Sequence, residues 1–310
     1  MGTTTLIGDI TARASAWWSP TAGRPMAAHP FRIVNVFTEG RGAFTGNPLC
    51  VFENGADFSS EQMQALARQF NLSETTFLLP STRANARVRI FTPSYEMAFA
   101  GHPTLGSAYV CRELKLGGDS LVLQMQAGLI PVQAEGDRWT LSALPATSRE
   151  LDVSRDVLAA ALGLEVSDLG DRPMWVKAGK EQLVVPLTSA EAVRRAVPVA
   201  SAMAKIRSED GLSMAYVFSM NGEIDGRTRA LARFFFPSAG ALLEDPATGS
   251  ATANFGAWCV SMKRALPLQI EISQGELVGR PSTLFLKVSA EGQVFVGGEV
   301  VEIGRGSVTL

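Results

Sequence analysis

The spacing of apolar residues changes period several times along the chain, and each change marks an element. Residues 31–37, F-R-I-V-N-V-F, are apolar and β-branched, the make-up of a buried strand. Turn residues fill 40–48, and a short apolar run at 49–52 predicts a second strand. Between 59 and 70 the period becomes helical. Met63, Leu66, Ala67 and Phe70 share one face, and Ser59 with Gln62 has capping-box spacing. Residues 71–80, N-L-S-E-T-T-F-L-L-P, predict a strand with a carboxylate, Glu74, near its start, and 87–92 its alternating neighbour. A helix follows His102, carrying Leu105, Ala108, Tyr109 and Cys111, with Arg112 and Lys115 at the end where positive charge suits the macrodipole. Runs at 121–125 and 129–132 predict a hairpin, and 139–141 another strand.

The second half repeats this order. Helices at 153–162 and 190–197 flank a strand at 182–187, and strands follow at 211–218 and 231–236. A helix at 248–264 carries Phe255, Trp258, Cys259 and Met262, and strands at 284–288, 294–296 and 300–303 close the chain. R-I-F-T-P-S at 89–94 recurs as R-F-F-F-P-S at 233–238, and Q-A-G-L-I at 126–130 as Q-G-E-L-V at 274–278. Most telling, G-H-P-T-L-G-S-A at 101–108 lies over E-D-P-A-T-G-S-A at 244–251, setting His102 opposite Asp245 one residue out of the strand register. Each copy reads as a strand, a Pro-containing loop, and a P-x-x-G-S-A entry into a helix. The chain is therefore expected to be an internal duplication of α/β (α+β) class. Its sheets should be mixed, because strands and helices follow no β-α-β alternation. The boundary falls within 145–150, dividing the chain into domains 26–147 and 148–297. Residues 1–25, with Trp17 and Trp18, match neither half. They read as a flexible extension, the rival being an arm that docks through its tryptophans. No continuous apolar stretch there follows a basic start, so a secretory signal is not indicated.

Composition narrows the classes. A length of 310 residues favours two domains, and 46% hydrophobic with 19% charged residues is ordinary for a chain that buries a good core. A net charge of −2 without a long basic run favours neither nucleic acid nor an anionic membrane. No apolar run approaches the ~18–20 residues that span a bilayer. Cys50, Cys111 and Cys259 are odd in number and far apart, which argues against a disulfide framework or thiolate metal site and for a reducing compartment, the cytoplasm. Neither G-x-G-x-x-G nor a P-loop occurs, so a nucleotide is not indicated.

Two helix starts related by duplication offer free N–H groups and partial positive charge, an anion site if they converge. Taken locally, Asp245 before Pro246 is an ordinary N-cap with Pro at the first helical position. His102 suits proton handling near neutrality. Glu74 has no counterpart: L-S-E-T at 72–75 matches L-S-M-A at 212–215. A carboxylate opening an apolar strand between two halves would be partly desolvated, its pKa raised toward that of a useful acid and base. A solvated strand end is the alternative reading. Opposed-thiol racemase chemistry is not indicated, since His102 and Asp245 stand at the matched positions and the cysteines lie deeper among apolar residues.

G-N-P-L-C-V-F at 46–52, N-L-S-E-T-T-F, R-I-F-T-P, F-A-G-H-P-T-L-G-S-A and E-D-P-A-T-G-S-A, in this order, together resemble the PhzF family. The likeness runs from about residue 31 to the end. It implies a diaminopimelate epimerase-like fold of two pseudo-symmetric domains, each a rolled mixed sheet around a central helix. The site would lie between them, and the last strand, about 298–310, would return to the first domain. It implies a cofactor-independent proton shift like the isomerisation of trans-2,3-dihydro-3-hydroxyanthranilate. Glu74 resembles the catalytic acid/base, and His102 and Asp245 its assisting polar groups. Gly101, Gly249 and Ser250 resemble the positions that hold a carboxylate, with Asn47 and Ser73 as further substrate-binding residues. No metal or organic cofactor is implied; a homodimer is, without nucleic acid or membrane. The chain reads E-M-A-F-A-G-H where the family often has E-L-P-F-A-G-H, which bears on pocket shape. The alternatives are an amino- or hydroxy-acid epimerase using His102 and Asp245, and a non-catalytic acid-binding homologue.

Overall fold

The structure, a computed structural model, describes residues 27–238 and 240–310; the extension at 1–25 lies outside the described residues. The first half runs β1 (Ala28–Val36), β2 (Asn47–Phe52), α1 (Ser60–Phe70), β3 (Glu74–Leu79), β4 (Ala86–Phe91), β5 (Glu96–Met97), α2 (Gly101–Glu113), β6 (Ser120–Met125), β7 (Gly128–Glu135) and β8 (Arg138–Ser142). After β9 (Thr147–Glu150) and α3 (Arg155–Leu162) the second half runs β10 (Met174–Ala178), β11 (Lys180–Pro186), α4 (Ala190–Arg195), α5 (Ala200–Met203), β12 (Ala215–Ile224) and β13 (Arg227–Ser238). It continues through β14 (Ala241–Asp245), α6 (Gly249–Ser261), β15 (Leu268–Gln274), β16 (Ser282–Val288) and β17 (Val294–Thr309).

The pairing pattern is written twice. β1–β2 is antiparallel, β2–β3 parallel, β3–β4 antiparallel and β4–β6 parallel. The second half repeats it as β10–β11, β11–β12, β12–β13 and β13–β15. Both halves are mixed sheets, as the irregular alternation predicted. The two strands expected at 294–296 and 300–303 are one strand of 16 residues, β17. Its first part pairs with β16 and β8 and its second with β1, so it closes the first-half roll and joins it to the second.

Each roll wraps one helix. In α2, buried residues run almost continuously from His102 to Cys111, and in α6 from Ala251 to Cys259. A helix buried all round shows no amphipathic stripe, which is why these two read as apolar runs and α1 as a periodic one. Helix α1 lies outside the first roll, its start fixed by the predicted Ser59–Gln62 capping box, a feature worth about 1 kcal/mol. Met63, Leu66 and Ala67 pack with Phe52 and Phe77, whose rings stack 4.8 Å apart. Helices α3, α4 and α5 cover the second roll through Leu158, Leu162, Val193 and Met203.

The structure corrects the register of the duplication. α2 begins at Gly101 and α6 at Gly249, and their C-caps, Leu114 and Met262, have nearly the same dihedrals. Lys115 and Lys263 follow with φ of 59° and 53°. Gly101 therefore matches Gly249, His102 matches Ser250, and Cys111 matches Cys259. The first P-x-x-G-S-A lies inside α2, with buried Ser107 bonded to Thr76, while the second leads into α6. Twelve positions separate Arg89 from Gly101 but sixteen separate Arg233 from Gly249. Most of the difference is taken up by β14, five residues long where β5 has two, and the rest by the loop before it. Asp245 is the last residue of β14 and not the N-cap of α6, which is Thr248.

Candidate active site

The two central helices meet start to start. A Cβ built on Gly101 would lie 3.8 Å from the Gly249 Cα, so the backbones approach as only glycine permits without filling the gap. Neither start has a side-chain cap hydrogen bond, and neither first turn holds an acidic residue. Among the described residues no acceptor is bonded to the N–H groups of Gly101, His102, Gly249 or Ser250. Such groups left free, at two positive helix ends, can receive an anion. Phe37 seats the second start: its backbone holds a left-handed φ of 64°, and its ring lies where a Gly249 Cβ would come within 3.1 Å.

Glu74 opens β3 beside this seam. Its Oε2 is buried without a hydrogen-bond partner and lies 3.4 Å from His102 Nε2, equally without one. Burial raises the Glu74 carboxyl from 4.5 to about 8, with the nearby charge of Asp245 pushing the same way. Burial lowers His102 to about 3, against a backbone hydrogen bond with Pro48 that raises it. Near neutrality the pair is thus a protonated carboxyl facing a neutral imidazole. A buried acid with an unmatched oxygen costs stability, and unmatched buried polar atoms converging at a seam make it a candidate binding site.

Asp245 reaches the seam from the other half. Its Oδ1 accepts from Asn47 Nδ2 at 3.0 Å, and its Oδ2 from Thr248 Oγ1 at 2.5 Å. Burial lifts its pKa to about 6, opposed by those two hydrogen bonds and aided by Glu244. Asn47 also donates to the Ala247 carbonyl at 3.0 Å, so one amide from β2 ties the halves together just before the start of α6. Of the residues named from sequence, Glu74, His102, Asp245, Asn47, Gly101 and Gly249 come together. Ser250 stands on the first turn of α6, accepting from Gln182, while Ser73 is exposed just before β3.

Three supporting residues escaped the sequence reading. Thr248 and Gln274 hold Asp245: Gln274 Nε2 donates to the Asp245 carbonyl at 2.9 Å and to Thr248 Oγ1 at 3.0 Å. Gln274 carried a signal, since it opens the repeat Q-G-E-L-V. Gln182 carried only its polarity, at the head of the apolar run 183–187.

A duplicated mixed-sheet fold, with Glu74 from one half and Asp245 from the other beside two helix starts, is the architecture of the epimerase-like fold class. The family described as "Phenazine biosynthesis-like protein" matches residues 34–306, and the chain belongs to this PhzF family of isomerases. It is 36% identical over 287 residues to an uncharacterized isomerase of Pasteurella multocida, covering 91% of this chain and 95% of that one. It is 34% identical to the trans-2,3-dihydro-3-hydroxyanthranilate isomerase of Pseudomonas chlororaphis, covering 91% and 100%. Among solved structures, a PhzF-family protein of Bacillus anthracis superposes with a TM-score of 0.81 at 24% identity, covering 92% of this chain and all of that one. A predicted epimerase of Pseudomonas aeruginosa does so with a TM-score of 0.72 at 31% identity, covering 90% and 99%. Among the described residues no helix is long and apolar enough to cross a membrane.

Proposed function

We propose that this isomerase shifts a proton between two carbons of a small carboxylic acid of the trans-2,3-dihydro-3-hydroxyanthranilate type, with Glu74 as its acid and base. The observation that carries this is the Glu74 carboxyl, unpartnered and 3.4 Å from an unpartnered His102, beside two uncapped helix starts that converge. The substrate carboxylate takes the free N–H groups of Gly101 and Gly249. Ionised Glu74 removes a proton from a ring carbon, and the electron pair left behind delocalises into the adjoining unsaturation. The same carboxyl, now protonated and exchanging its hydrogen with solvent, delivers a proton at the other end of that system. A pKa about 8 leaves the ionised form a minor but accessible fraction near neutrality and makes it a stronger base than an ordinary carboxylate. His102 and Asp245 flank the substrate as polar groups, and no cofactor enters any step.

The duplication favours a shift over a two-base inversion. Met214 stands where a second Glu74 would be, so the matched position in the other half offers no base. Incubation with trans-2,3-dihydro-3-hydroxyanthranilate in D₂O, followed by NMR, should show product carrying deuterium at the receiving carbon. Glu74→Gln should lower kcat by about 10²–10⁴-fold. Undiminished turnover by that variant would remove Glu74 from the mechanism, and label confined to one carbon with inverted configuration would replace the shift by epimerisation.

A further inference from the structure

The second half buries a chain of amides behind the start of α6. Asn254 and Gln182 are 0% and 2% exposed. Asn254 Oδ1 accepts from the Ala178 backbone N–H at 2.7 Å, and its Nδ2 donates to the Lys180 carbonyl at 3.0 Å. Those backbone groups cannot exchange roles, so the Asn254 amide has one orientation. Its Nδ2 also donates to Gln182 Oε1 at 2.8 Å, which leaves Gln182 Nε2 directed at Ser250 Oγ, 3.0 Å away. A serine hydroxyl that accepts from an amide still has its own hydrogen to give. Among the described residues no hydrogen bond uses Ser250 as donor.

This directional chain exists in one half only. Strand registers pair Cys50 with Thr75 and Leu183 with Ala215, so Leu49 is the counterpart of Gln182. The helix register makes Gly106 the counterpart of Asn254, and the Leu49 side chain lies against Gly106. Where the first half packs a leucine on a glycine, the second buries two amides. Burying amides gains little over an apolar pair of the same shape, so their net effect is to set a direction.

We propose that Asn254 and Gln182 are positioning residues that fix the Ser250 hydroxyl as a hydrogen-bond donor to the substrate carboxylate held between the two helix starts. The first half thereby supplies the proton chemistry and the second the oriented anchor. This rests on the carboxylate reading given above, and two measurements separate the failure of one from the failure of the other. Neutron diffraction from a deuterated crystal of the unliganded protein needs no substrate. It should place the Ser250 deuterium away from Gln182, with both Gln182 amide deuterons on the atom nearest Ser250. A Ser250 deuterium directed at Gln182 overturns the proposal.

The second measurement is a cycle of Ser250→Ala, Gln182→Met and the double variant, assayed on trans-2,3-dihydro-3-hydroxyanthranilate with the Tm of each recorded. A hydrogen bond to a charged group predicts KM raised about tenfold to a hundredfold in Ser250→Ala with kcat little changed. Gln182→Met should raise KM by a smaller factor and add nothing in the Ser250→Ala background. An unchanged KM in Ser250→Ala, or independent multiplication of the two effects, overturns the proposal. If the wild type does not turn over this acid, the substrate reading falls, and the neutron result alone decides the orientation of Ser250.

Discussion

At the scale of single residues the site is paid for in stability, and the cost depends on pH. Glu74 titrates about 8 in the folded chain and near the ordinary 4.5 when unfolded. Between those values the folded state holds a proton that the unfolded state has lost. Stability from this group is therefore complete below pH 4.5, falls as pH rises, and levels off above about 8. Glu74→Gln removes the titration, so its Tm should exceed that of the wild type at pH 8.5, with the gap closing toward pH 5. Several kcal/mol is the upper order of the effect. A gap independent of pH would mean that Glu74 is solvated in the folded chain. In the same range kcat/KM should climb with pH toward a limb near 8, as the ionised base accumulates. Glu74 itself was legible from its missing counterpart, Met214, because a duplication makes an unmatched carboxylate conspicuous. Gln182 and Asn254 were not legible: one polar residue in a strand, or one asparagine in a helix, has no signature until its partners are seen.

At the scale of elements the site is a gap between two helix starts, and its width can be tested separately from its chemistry. A Cβ on Gly101 would meet Gly249 at ordinary contact distances of 3.8 and 3.9 Å, so Gly101→Ala should fold with its Tm nearly unchanged. The methyl would nevertheless stand where a carboxylate must approach the backbone. Affinity for anthranilate, measured by calorimetry, should fall by about tenfold or more, the order of a lost charged hydrogen bond. Unchanged affinity would place the anion elsewhere. This gap shows what periodicity conveys and what it does not. The capping box and apolar face of α1 fixed its limits to a residue, whereas α2 and α6, buried all round, gave no phase. Letter matching therefore aligned P-x-x-G-S-A with P-x-x-G-S-A and missed the helix register by five residues, well over one turn. The lengthened β14 absorbs most of that shift and delivers Asp245 to the seam as the last residue of a strand, where the letters had suggested a helix cap. The convergence of the starts was legible because it depends on the order of elements, which the duplication preserves.

At the scale of the whole molecule one strand decides whether the halves can separate. β17 pairs with β8 and β16 up to Glu299, and Val300–Thr309 then pairs with β1 from Val36 back to Ala28. Glu302 in that second part meets Arg32 at 3.0 Å; Arg32 is 5% exposed and also bonded to Glu53 at 2.6 Å. Asn47, paired with Val36 of β1, binds Asp245 and Ala247 across the seam. Detaching the second part of β17 strips β1 of a ladder, and it leaves a buried guanidinium with half its compensation, a change of several kcal/mol. Calorimetry of the intact chain should therefore show a single transition whose calorimetric and van't Hoff enthalpies agree, although its length suits two domains. A chain ending at Glu299 keeps every second-half pairing and loses the nine register pairs between β1 and β17. It should lose the single transition, with the first half melting at lower temperature and taking Glu74 and His102 out of register before the second half opens. Two resolved transitions in the intact chain would mean that the ladder is too weak to couple the rolls. The seam could then open without unfolding, and the burial that raises Glu74 to about 8 would have to be restored by the substrate itself.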